Sequence, residues 1–216
     1  MMEPFIMNHQ YNFIKRQATI LQRAAKTVHD PGVLEAVRYS AESKVIQLFP
    51  ESADGQKQLL EKISACKTPE DVQQYAASLE PYLIAFPQVT EKQLKKLFPK
   101  NKKLKTPDLS AIDFRYVTYL GWVDISTSKL FMVYHLNGRT VGVEGRYTPT
   151  NKKDICFLCK SIKEVALVSA VSKARLANSP DYYKSIGNYM CTNSKECNES
   201  ITDVTNLERF IQNVTG

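Results

Sequence analysis

Cys156-Phe157-Leu158-Cys159 and, thirty-one residues further on, Cys191-Thr192-Asn193-Ser194-Lys195-Glu196-Cys197 decide how the last third of this 216-residue chain folds. A tetrahedral metal site needs four soft ligands converging on a point, and the C-x-x-C turn delivers two thiolates to one ion. The C-x5-C pair then closes the site from a distant segment, stapling regions that would otherwise share little core. Two disulfides among the same cysteines are the structural alternative, which needs an oxidising compartment; the spacing favours one structural zinc ion. The knuckle lacks the glycine that usually follows such a first pair, since Lys160 stands there.

Working outward, the segments before the knuckle carry a period of two. Tyr116 to Val123, Lys129 to Leu136 and Arg139 to Tyr147 are rich in strand formers, and Asn137-Gly138 is a two-residue hairpin turn signal. Val165 to Ser169 reads as a further strand, a polar loop follows near Asn178-Ser179-Pro180-Asp181, and a helix from about Asp203 to Val214 closes the chain. The first half has helical periodicity instead. His9 to Val28 places Phe13, Ala18, Ile20, Leu21, Ala24 and Val28 at near-helical spacing, and a second helix runs from Val33 to Leu48. Ser52-Ala53-Asp54 caps a third through Leu59, Leu60 and Ile63, and Thr68-Pro69-Glu70-Asp71 starts a fourth that carries Val72, Tyr75, Ala76, Leu79 and Leu83 inward. The expected fold is α+β in two domains: residues 1–88 as an antiparallel helical bundle, and 89–216 as an antiparallel sheet with a zinc-binding subdomain from about 150.

Between them, Thr90 to Lys105 holds seven lysines after Glu91, equal to the whole formal excess of +7. One reading is a solvated helix face and linker, with Leu94, Leu97 and Phe98 as a docking stripe. The other is an electrostatic footprint for RNA phosphates or an acidic protein face. Few arginines and no aromatic ladder argue against base reading.

The chemistry of an enzyme is missing. His9, His29 and His135 are scattered singly, no phosphate-cradling loop or nucleophile elbow occurs, and four cysteines fill tetrahedral zinc without leaving a position for water. The chain is read as a non-enzyme. No secretory signal and no apolar run of membrane-spanning length is present, so a cytoplasmic location is expected. There the sequons at Asn198 and Asn213 are chance matches. Cys66, beside Leu59, Leu60 and Ile63, reads as a buried small hydrophobe.

Recognition remains. Phe157 sits between two ligand cysteines, where a metal-gripping turn pushes intervening side chains outward, and Tyr182, Tyr183, Lys184 and Tyr189 precede the second pair with a composition found at interfaces. Each aromatic is either a surface anchor or a packing residue. The opening His9-Gln10-Tyr11-Asn12-Phe13-Ile14, the strand sequence Leu120-Gly121-Trp122, the knuckle through Lys160, and Gly187-Asn188-Tyr189-Met190-Cys191 through Cys197-Asn198 together resemble the fusidic acid resistance proteins of the FusB/FusC type, also called elongation factor G-binding proteins. The resemblance covers essentially the full length. It implies a helical N-terminal bundle, a C-terminal domain with a treble-clef-like zinc site held by Cys156, Cys159, Cys191 and Cys197, and binding of elongation factor G through that domain. It further implies release of the factor from ribosomes on which fusidic acid has trapped it, with Phe157, Tyr189 and Lys184 as candidate contacts. A ribosome- or RNA-binding zinc module using Lys92 to Lys105 is the alternative reading, and a redox use of the cysteines a third.

Overall fold

An apolar residue every three or four positions gives helix α1, Asn8–Thr27, a buried stripe of Tyr11, Ile14, Ala18 and Leu21. Ile20, which the sequence reading places on that stripe, is exposed; at 100° per residue it falls off the stripe that Ala18 and Leu21 define. Helix α2, Pro31–Gln47, begins earlier than Val33 because the Asp30 carboxylate accepts the Val33 N–H at 3.0 Å and Pro31 takes the first helical position. Helix α3, Asp54–Glu61, is entered through the Ala53 N–H, which donates to the Gln56 side chain at 2.9 Å, and it tightens into a 3₁₀ turn at Lys62–Ala65. Helix α4, Pro69–Leu79, has a full capping box. Thr68 Oγ1 accepts from the Asp71 N–H at 3.2 Å, and the Asp71 carboxylate accepts from the Lys67 and Thr68 N–H groups at 2.9 Å.

The computed structural model describes residues 2–173 and 184–216. Its chain divides into two units, Met1–Ile84 and Ala85–Gly216. In the first, Ile6, Ile14, Leu21, Leu60, Ile63 and Leu79 are fully buried. The Tyr75 hydroxyl donates to the Leu60 carbonyl at 2.8 Å, and Ile6 pairs with Leu83 in a parallel bridge that ties the N-terminal segment to the end of the helical run. Cys66 is buried, and burial followed by the Asp71 charge pushes its thiol up to about 11.

The second unit starts earlier in the chain than residue 89, because Phe86 and Val89 pack in one of its cores with Leu94, Phe98, Leu104, Phe131 and Val133. Helix α5, Glu91–Leu97, is thus part of this unit and not a linker. Leu94, Phe98 and Leu104 are buried beneath it, and all seven lysines of 92–105 are exposed. Phe98 meets Trp122 and Phe131 edge to face, and Trp122 stacks on Phe131. Gly142 makes this approach possible, since a Cβ there would lie 2.9 Å from the Phe98 ring and 3.0 Å from Leu97 Cβ.

Five antiparallel strands follow in simple sequential order: β1 Leu120–Asp124, β2 Lys129–Leu136, β3 Arg139–Ile155, β4 Ile162–Val171 and β5 Ser185–Cys191. Asn137 and Gly138 turn the β2–β3 hairpin with φ of 50° and 76°, as a type I′ turn demands. β1 starts four residues later than expected, Phe114–Tyr116 being a 3₁₀ turn. β3 runs eight residues past Tyr147. Thr148-Pro149-Thr150-Asn151 resembles a turn in sequence, but the structure absorbs it as a bulge between Pro149 and Lys152, with Asn151 at φ 52°. The β3–β4 hairpin therefore projects straight into the cysteine knuckle. Two short helices complete the chain, α6 Ser194–Ser200 and α7 Thr205–Thr215. Met132, Val143, Val168, Met190, Leu207, Phe210 and Ile211 share a core cluster with the four cysteines.

Candidate metal centre and contact surface

The knuckle is the tip of the β3–β4 hairpin. Ile155 and Ile162 form the last strand pair, the Cys156 N–H donates to the Ser161 carbonyl at 3.0 Å, and the Lys160 N–H returns to the Cys156 carbonyl at 2.9 Å. Cys191 ends β5 and Cys197 lies in α6, whose start is held by the Asn193 side-chain oxygen Oδ1 accepting from the Lys195 and Glu196 N–H groups. All four sulfurs are buried and lie within 4.8 Å of one another.

Cys156 and Cys197 Sγ are 3.9 Å apart and Cys159 and Cys191 Sγ 3.7 Å apart. Zn–S bonds of about 2.3 Å put tetrahedral sulfurs about 3.8 Å from one another, so the donor set fits one zinc with no open position. A disulfide needs about 2.05 Å, and all four cysteines are free thiols. Hydrogen bonding to the Cys156 and Cys159 sulfurs, with burial added, holds the Cys191 and Cys197 thiols far above their ordinary range. A divalent cation offsets the repulsion among four thiolates that burial makes so costly.

Residues outside the cysteines hold the site. Asn198, buried in α6, accepts the N–H groups of Thr118 and Tyr119 at 2.7 and 3.1 Å and donates to the carbonyls of Tyr119 and Ser194, both at 2.9 Å. The Ser194 hydroxyl donates to the Gly121 carbonyl at 2.6 Å. Helix α6 thus reaches from the end of β5 to β1, and the metal fastens it to the knuckle. The Asn198 amide is consumed in the interior, which removes that sequon from glycan chemistry. Tyr119, also buried, has its hydroxyl in hydrogen-bonding reach of Cys197; burial first, then the Cys197 charge, raises its pKa well above the usual phenol range. Neither role was visible in the sequence, where Asn198 and Tyr119 lie some eighty positions apart.

The expectation that the turn pushes both intervening side chains outward holds only in part. Leu158 is buried, while Phe157 is half-buried and packs against the core cluster. The reason is the backbone. The Phe157 N–H donates to the Tyr189 carbonyl at 2.7 Å and its carbonyl accepts from Asn206 Nδ2 of α7 at 3.1 Å, which lays the turn against β5 and α7. Cations cover the ring: Lys160 Nζ lies 4.9 Å and the Arg209 guanidinium 5.7 Å from its centroid. Tyr189 is 40% exposed, with Lys152 Nζ 4.7 Å from its ring.

Lys160 takes the left-handed conformation, φ 58°, at the position where knuckles commonly carry glycine. That backbone costs a lysine roughly 1–2 kcal/mol. Lys184 is exposed just before β5. The strand register puts Ser185 opposite Val171 and Cys191 opposite Val165, so Lys184 lies at the end of β5 away from the metal, roughly 16 Å from Tyr189 at about 3.3 Å per residue. The structure brings Phe157 and Tyr189 together and leaves Lys184 apart. Tyr182, Tyr183 and the loop at 178–181 lie outside the described residues. Lys152, Lys160, Asn206 and Arg209 were missed by sequence reasoning, and only the departure from glycine at Lys160 offered a signal.

Among the described residues no helix is long and apolar enough to cross a membrane. Curated proteins yield no match to the chain. The family model described as "Elongation factor G-binding protein, N-terminal" matches residues 5–87, and the one described as "FBP C-terminal treble-clef zinc-finger" matches residues 97–213. A solved structure described as "Structure of the fusidic acid resistance protein FusC" superposes with a TM-score of 0.83 at 25% identity, covering 97% of each chain. Two family models end to end, one treble-clef finger and four converging thiols leave one conclusion: the chain belongs to the elongation factor G-binding protein family and carries that family's structural zinc in its second unit.

Proposed function

We propose that this protein binds translation elongation factor G through its second unit and promotes release of the factor from the ribosome, protecting translation from fusidic acid. The family membership supports the partner, and the likeness to FusC supports the resistance role. The observation that carries the reading to particular residues is the Phe157 N–H bond to the Tyr189 carbonyl at 2.7 Å. It ties the knuckle backbone to β5, which supports reading the two aromatics as one contact region that the metal preorganises, so that little ordering entropy is lost on binding. Cys156, Cys159, Cys191 and Cys197 are the proposed ligands, and Phe157 and Tyr189 the proposed contacts. A contact at Lys184 requires a footprint running the length of β5.

Such a protein accelerates release only by interacting better with the factor's released conformation, or with the path to it, than with its ribosome-locked one. No bond is made or broken in that scheme. Titration against purified elongation factor G tests it. Phe157→Ala and Tyr189→Ala should each weaken binding at least tenfold with zinc content unchanged, and chelation should abolish it. Unchanged affinity in both variants would remove these aromatics from the interface.

One observation favours a second reading, an RNA-binding surface on the same unit. The seven lysines of 92–105 are all exposed over a buried Leu94, Phe98 and Leu104, and among the described residues only Lys95 has an ion pair there, with Glu91 at 3.5 Å. Capture of elongation factor G that disappears after nuclease treatment would favour this reading, as would an affinity falling steeply with salt.

A further inference from the structure

The hairpin that carries the knuckle ends in a pair of side chains that fold stability does not call for. Ile155 and Ile162 are directly paired across β3 and β4, yet they are 57% and 70% exposed. Two β-branched residues side by side on a solvated strand tip form an apolar step next to Phe157. Their neighbour Lys160 is the other anomaly. It accepts a left-handed backbone that glycine would adopt freely, and what the lysine supplies in return is an ammonium over the Phe157 ring. Arg209, from α7, brings a second cation to the same ring.

From the juxtaposition of Ile155, Ile162 and Phe157 with Lys160 and Arg209, we infer that the docking surface extends over the hairpin tip, and that it receives an apolar face of elongation factor G rimmed by carboxylates. This rests on the proposed function and names the chemistry of its partner surface. The apolar step continues the proposed Phe157 contact without a break in the chain, because Ile155 and Phe157 flank Cys156. The sign of the rim follows from Lys160 and Arg209, whose charges sit over the Phe157 ring and, among the described residues, against no carboxylate. An acidic rim opposite them steers encounter and fixes register. Lys160 is then a binding residue that the knuckle tolerates at a conformational cost.

Titration of purified elongation factor G with four proteins decides this: wild type, Phe157→Ala, the double variant Ile155→Ser with Ile162→Ser, and Lys160→Gly. The double variant should bind at least tenfold more weakly with one zinc per chain retained. Lys160→Gly should bind several-fold more weakly while its thermal midpoint is equal to or above that of wild type, a combination that a purely structural lysine would not show. Its affinity should also depend less on salt than that of wild type. Affinity lost in Phe157→Ala but unchanged in both other variants would overturn the inference and leave the proposed function standing. Failure of the wild-type chain to bind would overturn the proposed function, and the inference with it.

Discussion

Residues 1–84 and residues 85–216 hold themselves together over different distances along the chain. In the helical unit the contacts that set the helix starts are local: Thr68 with Asp71, Asp30 with Val33, Ala53 with Gln56. In the second unit they are remote. Asn198 bonds to Thr118 and Tyr119, Tyr134 reaches Glu208 at 2.8 Å, and the sulfurs of Cys156 and Cys197 meet across forty-one positions. Cysteine usage shows the same contrast. Cys66 behaves as a small apolar residue among Leu60 and Ile63, while the other four converge on a point where only a cation makes their burial tolerable. A helical unit can rely on caps and apolar stripes because helices satisfy their own backbone. A hairpin tip and a seven-residue helix cannot, and a metal supplies what core they lack.

Removing the metal should separate the two units most sharply. Structural zinc contributes about 10–16 kcal/mol in zinc-finger peptides, so chelation is expected to erase amide-exchange protection in β5 and α6 while leaving α1 and α4 protected. Equal loss in both units would break the comparison. Next in size, Leu60→Ala should cost the helical unit about 2–5 kcal/mol by opening a cavity at a fully buried position. Denaturant unfolding reads that loss, and affinity for elongation factor G in native buffer should not change.

Asn198→Ala is expected to cost about 2–3 kcal/mol, because it removes the side-chain acceptor of two buried N–H groups. The unfolding midpoint of the second unit should fall with zinc still bound. Its counterpart in the first unit, Thr68→Ala, removes a single exposed cap and should cost only about 1 kcal/mol. A larger effect at Thr68 than at Asn198 would reverse the distinction between local and remote ties. Last, the Lys67 and Thr68 N–H bonds hold the Asp71 carboxylate below its usual range. Its contribution is therefore present above the unfolded carboxylate pKa of about 3.9 and lost as pH falls through the lower folded value. An acid titration should show a small decline in helical stability there, absent in Asp71→Asn.

The start of α4 and the ends of β2 were legible because their causes are local: a cap with proline at the first helical position, and a strand ended by Asn137-Gly138. The end of α4, expected near Phe86-Pro87, comes instead at Leu79, where Pro81 turns the chain into a 3₁₀ turn at Glu80–Tyr82. β3 was cut short at Tyr147 because Pro149 and Asn151 look like a turn, and only pairing with β4 turns them into a bulge. β5 was passed over because an edge strand containing Gly187 and Asn188 has no clean alternation. α6 escaped notice because its seven residues are mostly polar, and what starts it is the Asn193 cap.

The zinc set, the helical first half and the family were determined by the sequence, since ligand spacing, helical period and turn chemistry are properties of neighbouring residues. The tertiary structure alone decided which side chains surround the metal site. Asn198, Asn206 and Arg209 meet the knuckle and β1 through space, and nothing in their own neighbourhoods predicts it. The same is true of Lys160, whose identity could be read directly but whose left-handed backbone, and the ring beneath its ammonium, exist only once the thiolates have closed the turn.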